Sequence, residues 1–259
     1  MTVAIYVAFI SGLVAIIGVV LSSYATIRTI RLRDELDLRR YMLDRSNAIE
    51  EAMSKYRDPL LRSAIDLQGR IYGLIESDYM GRHLRSDDIE MGQYAKTSTL
   101  YRLAEYFGWV EILRRGVQFL DFGDQARGRD LTILLHRIGF AFANTHRFPD
   151  AAFRLFRDEQ RAVGEVVLEP LPGDPRGYRC IGYTQFVERL ETDPNFSRWF
   201  NRLIHDMEAM MDPAPGYMDR LAAVHNILIA LLEFLDPGGI RYPTFDRPEL
   251  VEPAPLAEA

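Results

Sequence analysis

The residues from Val3 to Ile27 constrain this chain most, because about 25 consecutive residues there carry no charged side chain. A helix of that length extends roughly 37 Å, at about 1.5 Å per residue, whereas the hydrocarbon core of a bilayer is about 30 Å thick. Residues 1–27 are therefore predicted to form a single transmembrane helix. The rest of the chain is expected to work tethered to a lipid bilayer.

Basic residues lie on only one side of this apolar stretch. Met1 and Thr2 precede it, and the arginines that follow it are Arg28, Arg31, Arg33, Arg39, Arg40 and Arg45. Because basic residues beside a span stay on the cytoplasmic side, the N-terminus is expected outside and residues 28–259 in the cytoplasm. The alternative, a cleaved signal peptide, requires a basic start and a shorter apolar core. Lys55 and Lys96 are the only lysines, which indicates a GC-rich bacterial genome and hence a bacterial inner membrane.

Small side chains repeat along one face of the predicted span. Their spacings alternate between four and three residues, through Ala4, Ala8, Ser11, Ala15, Gly18 and Ser22. Helices in lipid associate where small residues permit close backbone approach, and a seven-residue repeat implies a left-handed crossing. The pattern predicts a homo-oligomer formed through this face. The alternative is that small residues are simply frequent in membrane helices.

After the predicted transmembrane anchor, which ends at residue 27, apolar residues recur at helical spacing and predict an all-α cytoplasmic domain. The predicted segments are a juxtamembrane helix over 28–57, a helical domain over 58–236 and a Pro-rich, largely disordered tail over 237–259. Asp58 is expected to cap the first helix of the domain, with Pro59 at its first position. Residues 97–120 form the most apolar helix of the domain and are expected to be central to the core.

The remaining pattern predicts shorter elements. A surface connection is expected over 76–94, and helices are expected over about 130–144, 150–168, 184–191, 194–211 and 217–235, with Asp130 capping the first of these helices. The last helix contains a long apolar run, but it also holds His225, Asn226 and Glu233, so a buried core helix is favoured over a second span. Residues 179–181 are the only plausible strand, which allows at most a minor β-hairpin.

The sequence contains no linear motif for catalysis or for a cofactor. Five histidines and one cysteine are scattered, and no HExxH, CxxC, glycine-rich phosphate loop or G-x-S-x-G motif occurs. Cys180 is interpreted as a small buried hydrophobe. No catalytic residue, cofactor or metal site is therefore predicted. A net charge of −6 argues against nucleic acid as a partner.

Polar side chains within apolar helices form the candidate site. Gln160 falls on an apolar helix face, and Arg161 can pair with Glu165 one turn later. Burying polar groups without partners is costly, so these groups require hydrogen bonds, water or a ligand. A polar pocket is hypothesised from His136, Glu159, Gln160, Arg161, Glu165 and His225. Hydrogen bonding between helices and an exposed salt-bridged face are the alternatives.

Three functions follow from these observations. The favoured hypothesis is a membrane-anchored, self-associating helical module that binds or scaffolds a protein partner without catalysis. The second is a ligand-sensing effector that binds a small polar molecule, which a buried pocket near Gln160 and His136 or His225 would favour. The third is a membrane-bound enzyme without a linear motif, which would show strongly shifted pKa values in one cleft.

Overall fold

The computed structural model describes residues 37, 39–42, 56–117, 125–174, 177–242 and 248–250. The chain divides into two compact units, Met1–Ala52 and Met53–Ala259. In the first unit, residues 37 and 39–42 are helical. Among the described residues, no helix has both the length and the apolar character required to cross a bilayer. The predicted anchor and its small-residue face lie outside the described residues, as does most of the predicted juxtamembrane helix.

The second unit is built almost entirely from helices. Its elements are α1 (residues 56–76), α2 (Tyr79–Leu84), α3 (Ile89–Val117), α4 (Gln125–Ala143), α5 (Arg157–Val166), β1 (Leu168–Pro170), β2 (Tyr178–Cys180), α6 (Tyr183–Thr192), α7 (Pro194–Ser197), α8 (Asn201–Ala209), α9 (Asp219–Leu235) and a 3-10 turn at Pro237–Gly239. The strands pair antiparallel, with Leu168 opposite Cys180 and Pro170 opposite Tyr178. The predicted all-α class with a minor β-hairpin is confirmed for the described residues.

Helix α3 is the centre of this unit. It packs against α2, α5, α6, α8 and β2. Leu103, Ala104 and Tyr106 on α3 are at most 1% exposed, because neighbouring helices cover most of its circumference. Gly108 permits close approach of the hairpin, since a Cβ there would lie 2.6 Å from Cys180 Sγ. The prediction that this segment forms the central helix is confirmed.

Helix α9 packs against α4 and contributes two buried polar side chains to the core. His225 and Gln68 of α1 place their Nε2 atoms 2.8 Å apart. The Arg220 guanidinium donates to backbone carbonyls at and beyond the C-terminal end of α4, including those of Phe142 and Asn144. The prediction of a buried core helix is confirmed, because the apolar face of α9, which includes Leu228, is buried.

The first predicted helix start is wrong. Residues 56–58 are already helical, so α1 passes through Asp58 and Pro59 and does not begin there. The Asp58 carboxylate instead accepts a hydrogen bond from Arg241. The predicted surface connection is also partly wrong, because α2 lies within it and α3 begins at Ile89. The α2 helix is held on the domain because Met80 is only 1% exposed and Tyr79 and Leu84 pack against the core.

Three further boundaries differ from the sequence predictions. Helix α4 begins at Gln125, so Asp130 lies inside it and does not cap it. Helix α5 begins only at Arg157, because tertiary contacts hold the preceding backbone in a non-helical path. Phe153 has a positive φ of 60°, its N–H donates to Asp206 Oδ2 at 2.7 Å, and Leu155 N–H donates to Phe142 O at 3.1 Å. The helix predicted to begin at Pro194 does begin there, but it is interrupted after Ser197 and resumes as α8 at Asn201.

Part of the predicted tail packs on the domain. Leu250 is 8% exposed, and its backbone N–H and C=O both bond to the Asn226 side chain, at 2.9 and 2.8 Å. This contact fastens residues 248–250 to α9. Residues 243–247 and 251–259 lie outside the described residues.

Candidate functional site

A cavity of about 370 Å³ lies where α3, α4 and α5 meet. Its lining comprises Tyr106, Phe107, Val110, Glu111 and Arg114 from α3, Leu135, His136, Ile138 and Gly139 from α4, and Arg157, Asp158, Gln160 and Arg161 from α5. A volume of this size is in the range of small-molecule sites, which are about 300–1,000 Å³. We refer to it as the α3–α4–α5 cavity.

The floor of the cavity is apolar and rigidly held. Tyr106, Phe107 and Ile138 are at most 5% exposed. Helix α5 approaches α3 closely at Gly164, where a Cβ would lie 2.6 Å from Phe107 O. Since that neighbour is a backbone atom, only glycine permits this crossing without displacement of a helix.

Gln160 fixes α5 against α4. Its side chain is buried, and Nε2 donates to Gly139 O at 2.8 Å and to Leu155 O at 2.7 Å. The missing side chain at Gly139 makes room for Gln160 Oε1 and Arg157 Nη1, which would lie 2.7 and 2.8 Å from a Cβ there. Gln160 therefore points inward, as its place on the apolar face indicates, and both of its amide hydrogens bind backbone.

Charged groups surround the mouth of the cavity. His136, Arg157, Asp158 and Arg161 are exposed. The Arg157 guanidinium crosses from α5 to α4, where Nη2 donates to His136 O at 3.1 Å. Arg161 makes no hydrogen bond to any residue that the structure describes, so its five N–H donors are open to solvent or a ligand.

A buried carboxylate organises the α3 side of the cavity. The side chain of Glu111 is 3% exposed and accepts hydrogen bonds from Arg114 at 2.7 and 2.6 Å and from Arg115 at 2.7 Å. Burial alone would raise the pKa of Glu111, but the hydrogen bonds and charges of the two arginines outweigh it and hold this pKa below the ordinary value. Glu111 is therefore an ionised anchor for arginines. It is poorly suited to donating a proton.

The cavity is electropositive as a whole. Three arginines line it, at positions 114, 157 and 161, against the two carboxylates of Glu111 and Asp158. Arg115 adds a further cation beside Glu111, and it also lies 3.4 Å from Glu165 Oε1. Cations at the mouth above an apolar floor suit a ligand with an anionic group and an apolar part.

Three of the six hypothesised pocket residues line this cavity, namely His136, Gln160 and Arg161. Glu165 lies one turn further along α5 and pairs with Arg115 across the helices, not with Arg161. Glu159 accepts a hydrogen bond from the Phe156 backbone N–H at 2.7 Å, which caps the start of α5.

His225 lies outside the cavity, in the core between α1 and α9. Since the Gln68 amide nitrogen can only donate, His225 Nε2 accepts, and the ring proton sits on Nδ1, 3.2 Å from Asn226 Oδ1. Burial holds the pKa of His225 below its ordinary value. Its role is structural hydrogen bonding between helices, which the sequence left open as an alternative.

Sequence reasoning missed Glu111, Arg114 and Arg157 as site residues. The spacing of Glu111, Arg114 and Arg115, at three and four residues, is a signal for side chains that meet on one helix face. Nothing local in the sequence distinguished Arg157, since its contact with His136 depends on how α5 lies across α4.

Two other groups of possible chemical interest lie at the hairpin. Burial raises the pKa of the Cys180 thiol well above its ordinary value, which disfavours the reactive thiolate. Burial and the neighbouring Asp66 charge raise the pKa of Glu105, whose backbone carbonyl lies 3.8 Å from Cys180 Sγ. Within the described residues, no group of three or more His, Cys, Asp or Glu side chains is placed to hold a metal ion.

Comparison of the chain with protein-family models, with curated proteins and with solved structures gives no match.

Proposed function

We propose that this chain is a membrane-tethered module that binds a small anionic molecule in the α3–α4–α5 cavity. The observation that supports this most is the combination of an apolar floor, formed by Tyr106, Phe107 and Ile138, with the exposed guanidinium groups of Arg157 and Arg161 at the mouth. The tether is the apolar stretch from Val3 to Ile27, and the proposal places the domain at the cytoplasmic face of a bacterial inner membrane.

The charge pattern favours a carboxylate or phosphate with an attached apolar group. A guanidinium binds either anion through two parallel hydrogen bonds, and Arg161 has donors that no described residue uses. The Phe107 ring beneath offers apolar contact for the remainder of the ligand. The cavity holds no positioned acid with a raised pKa, since Glu111 is kept ionised by its arginines, so binding is proposed and a reaction is not.

The test uses two probes that share a phenyl ring and a short alkyl chain but end in groups of opposite charge, a carboxylate and an ammonium. We expect 4-phenylbutyrate to bind the full-length protein in neutral phosphatidylcholine nanodiscs, measured by isothermal titration calorimetry, and 4-phenylbutylamine to bind much more weakly. Arg161→Ala should weaken phenylbutyrate binding at least about tenfold, because it removes a charge-assisted hydrogen bond worth about 1.5–3 kcal/mol.

Arg179→Ala is the matched control, because Arg179 is an exposed arginine on the hairpin that pairs with Glu169. It should leave the dissociation constant unchanged. Equal binding of the two probes, or equal effects of the two substitutions, would refute an anion site. Native mass spectrometry of the protein released from its own membrane then distinguishes the two sources of such an anion, since a retained lipid and a retained soluble anion differ in mass.

A second candidate function is a self-associating scaffold that acts through protein partners. The observation that favours it is the small-residue face of the predicted span, Ala4 to Ser22, which is suited to close helix pairing. The two functions are compatible, because a ligand in the domain could act on an oligomer that the span assembles.

A further inference from the structure

A cluster of large apolar side chains is exposed at the start of α3. Ile89, Met91 and Tyr94 are 84%, 39% and 47% exposed, and they lie within two turns of one another. Single exposed apolar residues are ordinary, but exposed apolar residues that line one groove, as Ile89 and Tyr94 do, commonly mark an interaction site. These residues lie apart from the α3–α4–α5 cavity, at the opposite end of α3.

The cluster borders a groove of about 690 Å³ between α3 and α6. Its lining comprises Ile89, Glu90, Gln93, Tyr94 and Thr97 from α3, and Tyr183, Thr184, Val187, Glu188, Glu191 and Thr192 from α6. The rings of Tyr94 and Tyr183 meet edge to face with centroids 6.3 Å apart, and Tyr183 Oη lies 2.7 Å from Thr97 Oγ1. These contacts hold the floor of the groove in place before any partner arrives.

The charge of the groove has one sign. Its charged lining residues are Glu90, Glu188 and Glu191, all exposed, and no described Lys, Arg or His lines it. The basic residues next to lining residues in the sequence have other partners: Lys96 Nζ pairs with Glu208 at 3.2 Å, and Arg189 donates to Val166 O at 3.0 Å. Three carboxylates around an apolar floor complement a ligand that is apolar on one face and basic at its edges.

We propose that the α3–α6 groove is the docking site for a basic amphipathic helix of a protein partner. The groove runs along α6, whose ten residues span about 15 Å, so it accommodates roughly three turns of a bound helix. Apolar side chains spaced three and four residues apart contact Tyr94 and Val187, and flanking Lys or Arg side chains meet Glu188 and Glu191. Docking in this groove is independent of ligand binding in the α3–α4–α5 cavity.

The test compares two synthetic helical peptides with identical leucine spacing, one flanked by lysines and the other by glutamates. Fluorescence anisotropy with the full-length protein in phosphatidylcholine nanodiscs should show the lysine peptide binding at least tenfold more tightly. Glu188→Lys should weaken its binding about fivefold or more, and Tyr94→Ala should do the same, because each removes one part of the complementarity.

Asp212→Lys is the matched control, because Asp212 is equally exposed and lies outside the groove, and the charge change is the same. It should change the affinity less than twofold. The proposal is wrong if both peptides bind equally, if neither binds, or if Asp212→Lys weakens binding as much as Glu188→Lys. It is also wrong if Glu188→Lys instead changes the oligomeric state in sedimentation velocity without affecting peptide binding, since the groove would then be an interface between copies of this chain.

Discussion

Arg220 is a fully buried cation whose partners are backbone carbonyls. Its nitrogens donate to Phe142 O at 2.7 Å, Asn144 O at 3.0 Å, Phe148 O at 2.7 Å and Ala152 O at 3.1 Å. The last carbonyls of a helix have no hydrogen-bond donor within it and carry negative partial charge. A guanidinium at the end of α4 supplies both donors and a positive charge. Burial lowers the pKa of Arg220 to about 10, which leaves it protonated at neutral pH.

Replacing Arg220 with methionine should be among the most destabilising single changes in this domain. The backbone carbonyls that Arg220 now satisfies would stay buried without donors, and each buried acceptor left unsatisfied costs about 1–3 kcal/mol. Urea unfolding, monitored by the fluorescence of Trp109 and Trp199, measures the change. Arg179→Met, which removes an exposed arginine, should cost less than about 1 kcal/mol. Similar losses for the two variants would contradict this account of Arg220.

His225 should make the stability of the domain depend on pH. Its pKa in the folded state lies below the ordinary value of 6.5, so the unfolded chain takes up a proton first as the pH falls. The contribution of neutral His225 to the free energy of unfolding is therefore complete above pH 6.5, and it is lost as the pH falls through the folded-state pKa. The groups that face the ring are Gln68, Tyr72, Asn226 and, more distantly, Glu76. A protonated Nε2 would oppose the Gln68 amide donor.

The measurement is the melting temperature at about pH 7.5 and about pH 5.5, on either side of the ordinary histidine pKa. His225→Gln should show a smaller fall between the two than the unaltered protein, because the titrating group is gone. His146→Gln, at an exposed position, should keep the full fall. An undiminished fall in His225→Gln would show that this ring does not titrate with folding.

At the scale of elements, glycine determines how closely helices cross. The Cβ added by Gly164→Ala would lie 2.6 Å from Phe107 O, so α5 must move away from α3 at a cost of about 1–3 kcal/mol. Gly69→Ala adds the same methyl group on α1, where nothing lies within 4 Å, and should instead stabilise by about 0.5–1 kcal/mol. Urea unfolding of the two variants should give changes of opposite sign. Changes of the same sign would contradict the crossing argument.

Elements with a strong pattern of their own were predictable from the sequence. Helices α3, α6 and α9 and the hairpin strand near Cys180 follow from apolar periodicity and from the prolines and glycines between them. Errors occurred where distant residues decide the local structure. Residues before Arg157 have helical composition, but the Asp206 carboxylate accepts a hydrogen bond from the Phe153 N–H, and Phe153 adopts a positive φ that no right-handed helix contains.

The candidate site was predictable only in part, for a similar reason. The inward position of Gln160 follows from the apolar face of its own helix. That His136 joins Gln160 and that His225 does not depends on which helices touch, since α4 and α5 both line the cavity and α9 contributes no residue to it. Periodicity reports which side chains turn inward but gives no information on which helix they meet.

At the scale of the whole molecule, we propose that the predicted span over residues 1–27 brings copies of the chain together. Replacing Ala8 and Ala15 with leucine should weaken a homodimer, because bulky side chains keep the two backbones apart. A two-hybrid reporter in a bacterial membrane measures this. Replacing Ile10 and Ile17 with leucine, on the opposite side of the predicted helix, is the control and should leave the signal unchanged. An equal signal from all variants would show that the small-residue face does not mediate association.

The bonds of Arg220 also bear on how the domain folds during its synthesis. Its partners lie 68 to 79 residues earlier in the chain, and the partner of His225, Gln68, lies 157 residues earlier. At a synthesis rate of about 5–20 residues per second, Arg220 is added on the order of 4–16 seconds after the end of α4. Until α9 has left the ribosome, the preceding helices have neither their buried guanidinium nor the apolar face that covers α4. Chains interrupted before α9 are therefore expected to expose α4 and to be substrates for chaperones and proteases.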